Sequence, residues 1–304
     1  MSDSGTRRVA VVVNPSKVPT GDRVREQVEK GVRDVGWEAP HWLETTTDDP
    51  GRGMAEQAVR DGFDVVLAMG GDGTVMSCIT ALAGTGVPLG VLPAGTGNLL
   101  ARNLELPVDN VQEAVRVALT GIDRAIDVGA CGEHRFAIMA GLGFDAAMMR
   151  DAPEKLKSRV GWPAYIVSAS RHLRGRRTSV RITIDDGAPI TRKVRTVVVG
   201  NVGKLQGGIP LMPDARPDDG VLDVVVIAPR NILDWLRVAG VVLVRRHRPD
   251  FRVERFRARR IRVEAEQPMP QQLDGEVIGD DATMDIEVQP RALLVRVAAD
   301  SRHE

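Results

Sequence analysis

A glycine-rich turn between a strand and a helix constrains this chain more than any other stretch. Gly70-Gly71-Asp72-Gly73-Thr74 follows the apolar run Val65–Met69 and leads directly into an apolar segment that starts at Val75. Glycine has no Cβ and readily adopts positive φ, so such backbone can approach a phosphate group closely. The first N–H groups of the helix that follows add an anion site. The turn therefore predicts a nucleotide-binding site on an α/β sheet.

Asp72 is the unusual member of the turn. A carboxylate in a phosphate cradle repels the ligand unless a cation or a reacting hydroxyl lies between them. This favours phosphoryl transfer over nucleotide storage, with an ordinary glycine-rich turn as the alternative. The turn is not a Walker A loop, because no Gly-Lys-Ser/Thr follows, and its spacing does not fit a dinucleotide-binding fingerprint.

The first 125 residues alternate short apolar runs with helical patterns, which predicts βαβ units around a parallel sheet. Ligands of such sheets bind at the carboxyl ends of the strands, where four polar, turn-rich segments of this chain are expected to meet. Those segments are Asn14–Lys17, Thr45–Thr47, Gly70–Thr74 and Gly95–Asn98. The predicted strands and helices, in chain order, are Val9–Val13, Asp22–Val35, His41–Thr45, Met54–Asp61, Val65–Met69, Thr74–Ala83, Leu89–Leu92 and Val111–Leu119.

From Ile126 onward the pattern changes to β-rich alternation with short hairpin turns. The sequence therefore predicts an α/β protein of two domains: a nucleotide-binding domain over residues 1–125 and a mainly antiparallel, β-sandwich-like domain over residues 126–290. We expect a last strand near residues 291–304, which could return to the first domain. The strands predicted in the second domain are Phe136–Met139, Val180–Ile184, Arg195–Val199, Leu222–Ile227, Arg260–Glu264 and Met284–Val288.

The amino-acid composition limits the classes of binding partner that this chain could have. The 41 Lys and Arg residues balance the 41 Asp and Glu residues, so no global field favours nucleic acid. Two distant cysteines, Cys78 and Cys131, are typical of a reduced cytosolic protein. The sequence begins without the apolar core of a signal peptide and has no run of about 20 apolar residues, so we expect a cytoplasmic, peripherally membrane-associated protein.

Two segments combine apolar and basic residues, at 162–177 and 232–248. Such segments can lie in the headgroup region of a membrane with anionic lipid. The alternative is a pair of helices that pack one side on the β-rich domain and expose a solvated basic face.

Six short motifs, in one order along nearly the whole chain, resemble the diacylglycerol kinase catalytic-domain family, which includes sphingosine and ceramide kinases. The motifs are Asn14-Pro15 with Lys17, Gly70–Thr74, Pro93–Asn98 with Arg102, Asp127–Gly129, Pro213–Asp223 and Leu273–Glu276. The resemblance implies ATP and Mg²⁺ as cofactors and transfer of the γ-phosphate to a lipid hydroxyl at the membrane surface. Diacylglycerol is the favoured substrate, which would yield phosphatidic acid.

The sequence leaves other functions open. A sphingoid base, ceramide or phosphatidylglycerol could be the lipid, and a homodimer could form. An NAD kinase shares the turn at Gly70–Gly73, but this chain has no Asn-Glu pair downstream of that turn. A nucleotide- or lipid-binding protein without catalysis is a further alternative, although Asp72 and Glu276 are both present.

The resemblance also assigns roles to individual residues. It makes Glu276 the general base, opposite Asp72 across an interdomain cleft, whereas an exposed glutamate in a common hairpin turn is the alternative. Asp219 would hold a structural Mg²⁺ with the backbone carbonyls of Arg216 and Val221, or else form a turn without metal. The residues assigned to ATP and its magnesium are Asn14, Pro15, Ser16, Lys17, Thr45, Gly70, Gly71, Asp72, Gly73, Thr74, Gly95, Thr96, Asn98, Arg102 and Asp127.

The chain departs from the family pattern at two places, and two further assignments stay open. The loop Asn14–Lys17 is short and lacks the usual glycine, which leaves the role of Lys17 open. Thr45 and Thr46 are both candidates for the hydroxyl that the second strand offers to the nucleotide. Leu99-Leu100 stands where many bacterial relatives have aspartate and phenylalanine, which weakens the transfer of their magnesium and water network to this chain. Arg102 and Asp127 could form an ion pair that is either catalytic or purely structural.

Substituting Lys17→Ala should raise the Michaelis constant for ATP, because a flexible ammonium after the first strand can reach the nucleotide phosphates. The measurement is the initial rate of phosphate transfer as a function of ATP concentration, with Lys30→Ala as the matched lysine control. An unchanged Michaelis constant in Lys17→Ala would remove this residue from the site.

Overall fold

The computed structural model describes residues 6–18, 22–94, 98–143, 177–203, 211–229, 234 and 253–299. The chain divides into two compact units. The first comprises Met1–Ile126 together with Arg291–Glu304, and the second comprises Asp127–Pro290. No helix in the described part of the chain has the length and apolar composition needed to cross a bilayer.

The first unit contains a parallel sheet with helices. Its strands pair in the order β14–β4–β3–β1–β2, and only the end of β14 takes part, through Val295 opposite Leu89. Strand β5 (Ile122–Cys131) begins in this unit and ends in the second. The other elements of the first unit are β1 (Val9–Val13), α1 (Asp22–Asp34), β2 (His41–Glu44), α2 (Arg52–Arg60), β3 (Val65–Gly70), α3 (Asp72–Leu82), β4 (Leu89–Pro93), α4 (Leu99–Asn103) and α5 (Val111–Thr120).

The central strands of this sheet are covered on both faces. Every residue of β1 and β3 is buried, which explains why both strands are uninterrupted apolar runs. Alternate residues of a strand point to opposite faces. Val11 and Leu67 therefore face the same core as Val28 of α1 and Val115 of α5. Helices α2 and α3 pack on each other and on the sheet.

The second unit is antiparallel. Its main strand order is β12–β11–β10–β7–β13–β14, with β8 paired to β13 and β9 paired to β8. The strands are β6 (His134–Phe136), β7 (Met139–Gly143), β8 (Thr178–Ile184), β9 (Ile190–Val194), β10 (Thr196–Gly200), β11 (Leu222–Ile227), β12 (Val253–Ala258), β13 (Arg260–Leu273) and β14 (Glu276–Val297).

Strand β13 changes its pairing partners along its length. Its first part pairs with β8, its last three residues pair with β7, and the register against β14 shifts between Glu264 and Met269. Such an irregularity bends a strand and lets it change sheets. Arg192 of β9 forms a bidentate ion pair with Glu254 of β12, at 2.7 and 3.0 Å. This pair connects two strands that are not hydrogen-bonded neighbours. The result is a β-sandwich-like arrangement.

The predicted fold class is confirmed. The predicted strands and helices of the first unit lie within about two residues of the observed ones. The prediction of one strand over Phe136–Met139 is wrong, because β6 ends at Phe136 and β7 begins at Met139. The N–H groups of Ala137 and Ile138 donate to the carboxylate of Asp274 rather than to a neighbouring strand. The apolar and basic segments at 162–177 and 232–248 lie outside the described residues except for positions 177 and 234.

Both cysteines are buried free thiols, one in each unit. Burial, and then the negative charge of Asp49, raises the pKa of Cys78 to about 12. Burial is also the main cause of the raised pKa of Cys131, followed by the charges of Asp285 and Asp281. Because the thiolate is the reactive form, neither sulfur is primed for chemistry in the folded protein.

We therefore expect neither thiol to react rapidly with an aromatic disulfide reagent at pH 8, whereas both should react in denaturant. The measurement is the absorbance of the released thiolate over time. The single variants Cys78→Ala and Cys131→Ala leave one reporter in each unit. Rapid native labelling of Cys131→Ala, in which Cys78 is the remaining thiol, would contradict the burial of Cys78.

Candidate functional site

Three parallel strands end together at one edge of the first unit. The N–H of Asn14, just after β1, donates to the carbonyl of Met69 at 2.9 Å. The N–H of Ala94, just after β4, donates to the carbonyl of Gly70 at 3.2 Å. These bonds extend the sheet pairing beyond the strands, so the segments that follow β1, β3 and β4 start side by side. Carboxyl ends of parallel strands are the usual ligand-binding edge of such sheets.

The Gly70–Thr74 turn forms the start of helix α3. Gly71 is the N-cap residue in an extended conformation, with φ −86° and ψ −171°, and no side chain of the described residues caps the helix. The first N–H groups of a helix have no acceptor within it, and the helix dipole places partial positive charge there. This end of α3 is therefore suited to an anion.

The two leading glycines differ in their surroundings. A Cβ built on Gly70 would lie 2.6 Å from Oγ1 of Thr74, whose side chain is buried. A Cβ on Gly71 would meet nothing within 4 Å. Gly70 is thus required for packing inside the turn, whereas Gly71 leaves open space at the N-terminus of α3 that a bound group can enter.

Asp72 and Asn98 link the turn to the start of α4. Oδ1 of Asp72 accepts from the N–H of Leu99 at 2.9 Å, and Nδ2 of Asn98 donates to the carbonyl of Gly70 at 3.2 Å. Asn98 is buried, adopts φ 41°, and its Oδ1 has no hydrogen-bond partner in the structure as described. A buried amide oxygen of this kind needs a donor from water or ligand. Gly95 and Thr96 lie outside the described residues.

The short segment after β1 holds itself together. Oδ1 of Asn14 accepts from both the N–H and the hydroxyl of Ser16, at 3.0 and 2.7 Å. The carbonyl of Asn14 accepts from the N–H groups of Lys17 and Val18, and Val18 is buried in the core. Pro15, Ser16 and Lys17 are exposed. None of residues 14–18 has a positive φ, which explains how the turn forms without the glycine that the family usually has here.

The two threonines after β2 make different hydrogen bonds. The N–H of Thr45 continues the pairing with β1 by donating to the carbonyl of Val13 at 2.9 Å, and its side chain is buried. Oγ1 of Thr46 instead accepts from the N–H of Asp49, whose carboxylate accepts from the N–H groups of Gly51 and Gly53 at the start of α2. The choice between Thr45 and Thr46 as a nucleotide ligand stays a prediction.

Glu276 lies in the second unit, directly after a two-residue hairpin turn between β13 and β14. Asp274 and Gly275 have φ values of 47° and 93°, as a tight hairpin of this kind requires at both central positions. The side chain of Glu276 is exposed, whereas that of Asp274 is buried. Sequence reasoning missed Asp274, although an Asp-Gly pair in a hairpin was a signal that its carboxylate could bond to nearby backbone.

Asp127 is another buried carboxylate of the second unit. Its Oδ2 accepts from the N–H of Gly220 at 2.6 Å, and its own N–H donates to the carbonyl of Pro217 at 2.6 Å. It therefore holds the turn that precedes β11. Arg102 is exposed on α4 of the first unit. The assignment of Arg102 and Asp127 to ATP stays a prediction.

The same turn carries the residues expected to hold a structural metal. Oδ1 of Asp219 accepts from the N–H of Val221 at 3.2 Å, and Oδ2 is bonded to the guanidinium of Arg257. The guanidinium supplies positive charge where a metal ion was expected. Among the described residues, no group of three or more His, Cys, Asp and Glu side chains is placed to hold a metal. These side-chain contacts do not by themselves fit a metal, and the role of Arg216, Asp219 and Val221 stays a prediction.

Burial raises the pKa of Asp223, at the start of the neighbouring strand β11, to about 6, against the opposing effect of Arg257. Arg257 thus lies close to two carboxylates, with its Nε 4.0 Å from Oδ1 of Asp223. The negative charges of Asp219 and Asp214 add to the effect of burial on Asp223.

Comparison with known proteins is consistent with this architecture. A model of the diacylglycerol kinase catalytic domain matches residues 8–131, and one of the YegS C-terminal NAD kinase beta sandwich-like domain matches residues 138–297. The chain is 30% identical over 280 residues to the diacylglycerol kinase of Bacillus subtilis (strain 168), covering 90% of this chain and 91% of that protein.

Solved structures show the same fold. A diacylglycerol kinase from Bacillus anthracis str. Sterne superimposes with a TM-score of 0.72 at 22% identity, covering 95% of this chain and 96% of that one. An NAD kinase from Archaeoglobus fulgidus in complex with ATP gives a TM-score of 0.51 at 13% identity, covering 95% and 93% of the two chains.

The chain belongs to the diacylglycerol kinase catalytic-domain family. It is accordingly a lipid kinase of that family, and the family implies ATP as the phosphate donor. The resemblance expected from the six sequence motifs is confirmed.

Substituting Gly71→Ala should weaken ATP binding at least tenfold, because the new methyl group would occupy the open space at the start of α3. The free energy of unfolding should change by less than about 1 kcal/mol, since φ −86° suits alanine. Calorimetric titration with ATP and denaturant unfolding measure the two quantities.

Gly70→Ala is the matched comparison. Its methyl group would collide with Thr74 and should lower the free energy of unfolding by about 1–3 kcal/mol. If Gly71→Ala bound ATP as tightly as the wild type, the turn would not contact the nucleotide.

Proposed function

We propose that this protein transfers the γ-phosphate of ATP to the hydroxyl of diacylglycerol and so forms phosphatidic acid. The observation that carries the proposal is the 30% identity to the Bacillus subtilis diacylglycerol kinase over 90% of this chain. Two features of the described structure support it: the open N-terminus of α3 in the first unit, and the exposed Glu276 on a tight turn of the second.

ATP would bind at the carboxyl edge of the parallel sheet. Phosphate groups would meet the N–H groups at the start of α3, where Gly71 leaves space and no described side chain caps the helix. Asn98 would contribute its buried Oδ1 as an acceptor, directly or through water. The turn at Asn14–Lys17 begins beside this edge, so Lys17 would approach the phosphates from the end of β1.

Glu276 would act as the general base. Its carboxylate would take the proton from the lipid hydroxyl while the oxygen forms a bond to the γ-phosphorus, and the bond to the bridging oxygen of ADP breaks. Phosphoryl transfer depends mainly on positioning and charge neutralisation, so an exposed carboxylate on a rigid hairpin suits this role. Magnesium, when bound to the phosphates near Asp72, would neutralise their charge.

The choice of diacylglycerol as the lipid rests on the relatives of this chain rather than on its fold. Similarity to the NAD kinase from Archaeoglobus fulgidus is confined to the fold, at 13% identity. Diacylglycerol is proposed because two relatives that are 30% identical to this chain, over 90% and 70% of its length, are diacylglycerol kinases. We also propose that the protein works in the cytoplasm at the membrane surface, where a lipid hydroxyl is accessible to water.

The wild-type protein should transfer labelled phosphate from γ-labelled ATP to diacylglycerol in mixed micelles with magnesium. Glu276→Gln should lower the turnover number by about 10²–10⁴-fold, as expected for loss of a general base. Asp72→Asn should lower it as well. Glu266→Gln is the matched control, because Glu266 is an exposed glutamate of β13 away from the hairpin, and its rate should equal that of the wild type.

A panel of sphingoid base, ceramide, phosphatidylglycerol and NAD is assayed under the same conditions. Preferred labelling of another lipid would replace diacylglycerol while leaving a lipid kinase. Labelling of NAD alone, or ATP binding without any transfer, would refute the proposal.

A further inference from the structure

Asp274 is a buried carboxylate that the proposed chemistry does not use. Its side chain is 2% exposed, and it accepts hydrogen bonds from three consecutive N–H groups, those of Ala137, Ile138 and Met139, each at 2.9 Å. Ala137 and Ile138 form the connection between β6 and β7, and Met139 is the first residue of β7. Hydrogen bonds from N–H groups to a carboxylate are shorter and stronger than bonds between neutral groups. Asp274 thus anchors the hairpin turn to a separate segment of the second unit.

Backbone and neighbouring side chains reinforce this attachment. The N–H of Asp274 donates to the carbonyl of Met139 at 2.8 Å, and the N–H of Gly275 donates to Oε1 of Gln272 at 2.8 Å. Both central residues of the turn are therefore held by hydrogen bonds. Glu276 follows immediately and has little freedom to shift with the backbone.

The segment whose N–H groups donate to Asp274 is itself held by hydrogen bonds. Nδ2 of Asn201 donates to the carbonyls of Asp127 and Ala137, at 2.7 and 3.0 Å, and the N–H of Asn201 donates to the carbonyl of Ile138 at 2.8 Å. Asn201 is buried as well. The chain of contacts runs from the interior of the second unit to the exposed glutamate at the tip of the hairpin.

We infer that Asp274 is a positioning residue for phosphoryl transfer, whose carboxylate fixes the hairpin that presents Glu276. This inference rests on the proposed role of Glu276 as general base. A base must lie within hydrogen-bond reach of the proton that it removes, and a displacement of about 1 Å can cost about a hundredfold in rate. A buried anchor two residues away supplies the required rigidity without contacting ATP or lipid.

Asp274→Asn tests this inference, because the amide keeps the size of the side chain but turns one acceptor oxygen into a donor. An N–H group would then face a backbone N–H, and the turn would have to move. We expect the turnover number to fall about tenfold to a hundredfold while the Michaelis constant for ATP stays within twofold. Hydrogen exchange at Gly275 and Glu276 should become faster in the same variant.

Asp185→Asn is the matched control. Asp185 also lies in a hairpin turn of the second unit at φ 48°, and its Oδ1 accepts from the N–H groups of Arg259 and Arg260 at 2.8 Å each. This substitution disturbs a comparable aspartate turn without touching the hairpin of Glu276, so the turnover number should stay within twofold of the wild type.

The decisive measurement repeats Asp274→Asn in a Glu276→Gln background. If Asp274 acts through Glu276, the substitution should change the remaining rate less than twofold, because the group that it positions is already lost. An equal loss in both backgrounds, or a folded Asp274→Asn variant with wild-type turnover, would overturn the inference. A wild-type protein that phosphorylates no lipid would instead refute the proposed function, and faster exchange at Gly275 in Asp274→Asn would still show the anchoring contact.

Discussion

Parallel pairing of β1, β3 and β4 is the constraint on which the first unit depends. It aligns the carboxyl ends of three strands, and the bonds from Asn14 to Met69 and from Ala94 to Gly70 continue that alignment into the loops. The start of α3 lies at the same edge, because the chain turns from β3 into this helix at Gly71. A single backbone pattern thus brings segments that are far apart in sequence to one edge of the sheet, beside the N-terminus of α3.

The second unit depends on buried carboxylates in a comparable way. Asp127 holds the turn before β11, and Asp274 holds the turn before β14, each by accepting bonds from backbone N–H groups. Buried charge is costly unless it is hydrogen-bonded, so these contacts specify the loops strongly. Asn201 joins the backbone beside both carboxylates through its bonds to Asp127 and Ala137. Rigid loops on a β framework are what a reaction governed by positioning requires.

Several local features explain how this chain departs from the motifs of its family. The short turn after β1 closes through the side chain of Asn14 and needs no positive φ, so the usual glycine is dispensable. Leu99 donates its N–H to Asp72, a contact that depends on backbone and therefore tolerates the change of side chain at this position. The guanidinium of Arg257 balances Asp219 in a turn where the resemblance implied a metal.

The sequence by itself determined the fold class, the family and most elements of the first unit, because apolar periodicity and glycine-rich turns are local signals. It also marked the Gly70–Thr74 turn and Glu276 as candidates for chemistry. Only the tertiary structure decided that Ala137 and Ile138 do not belong to a strand. Their N–H groups donate to the carboxylate of Asp274, which lies 137 and 136 residues away in sequence. Long-range hydrogen bonds of this kind have no local signature, and here they determine how the hairpin that carries Glu276 is held.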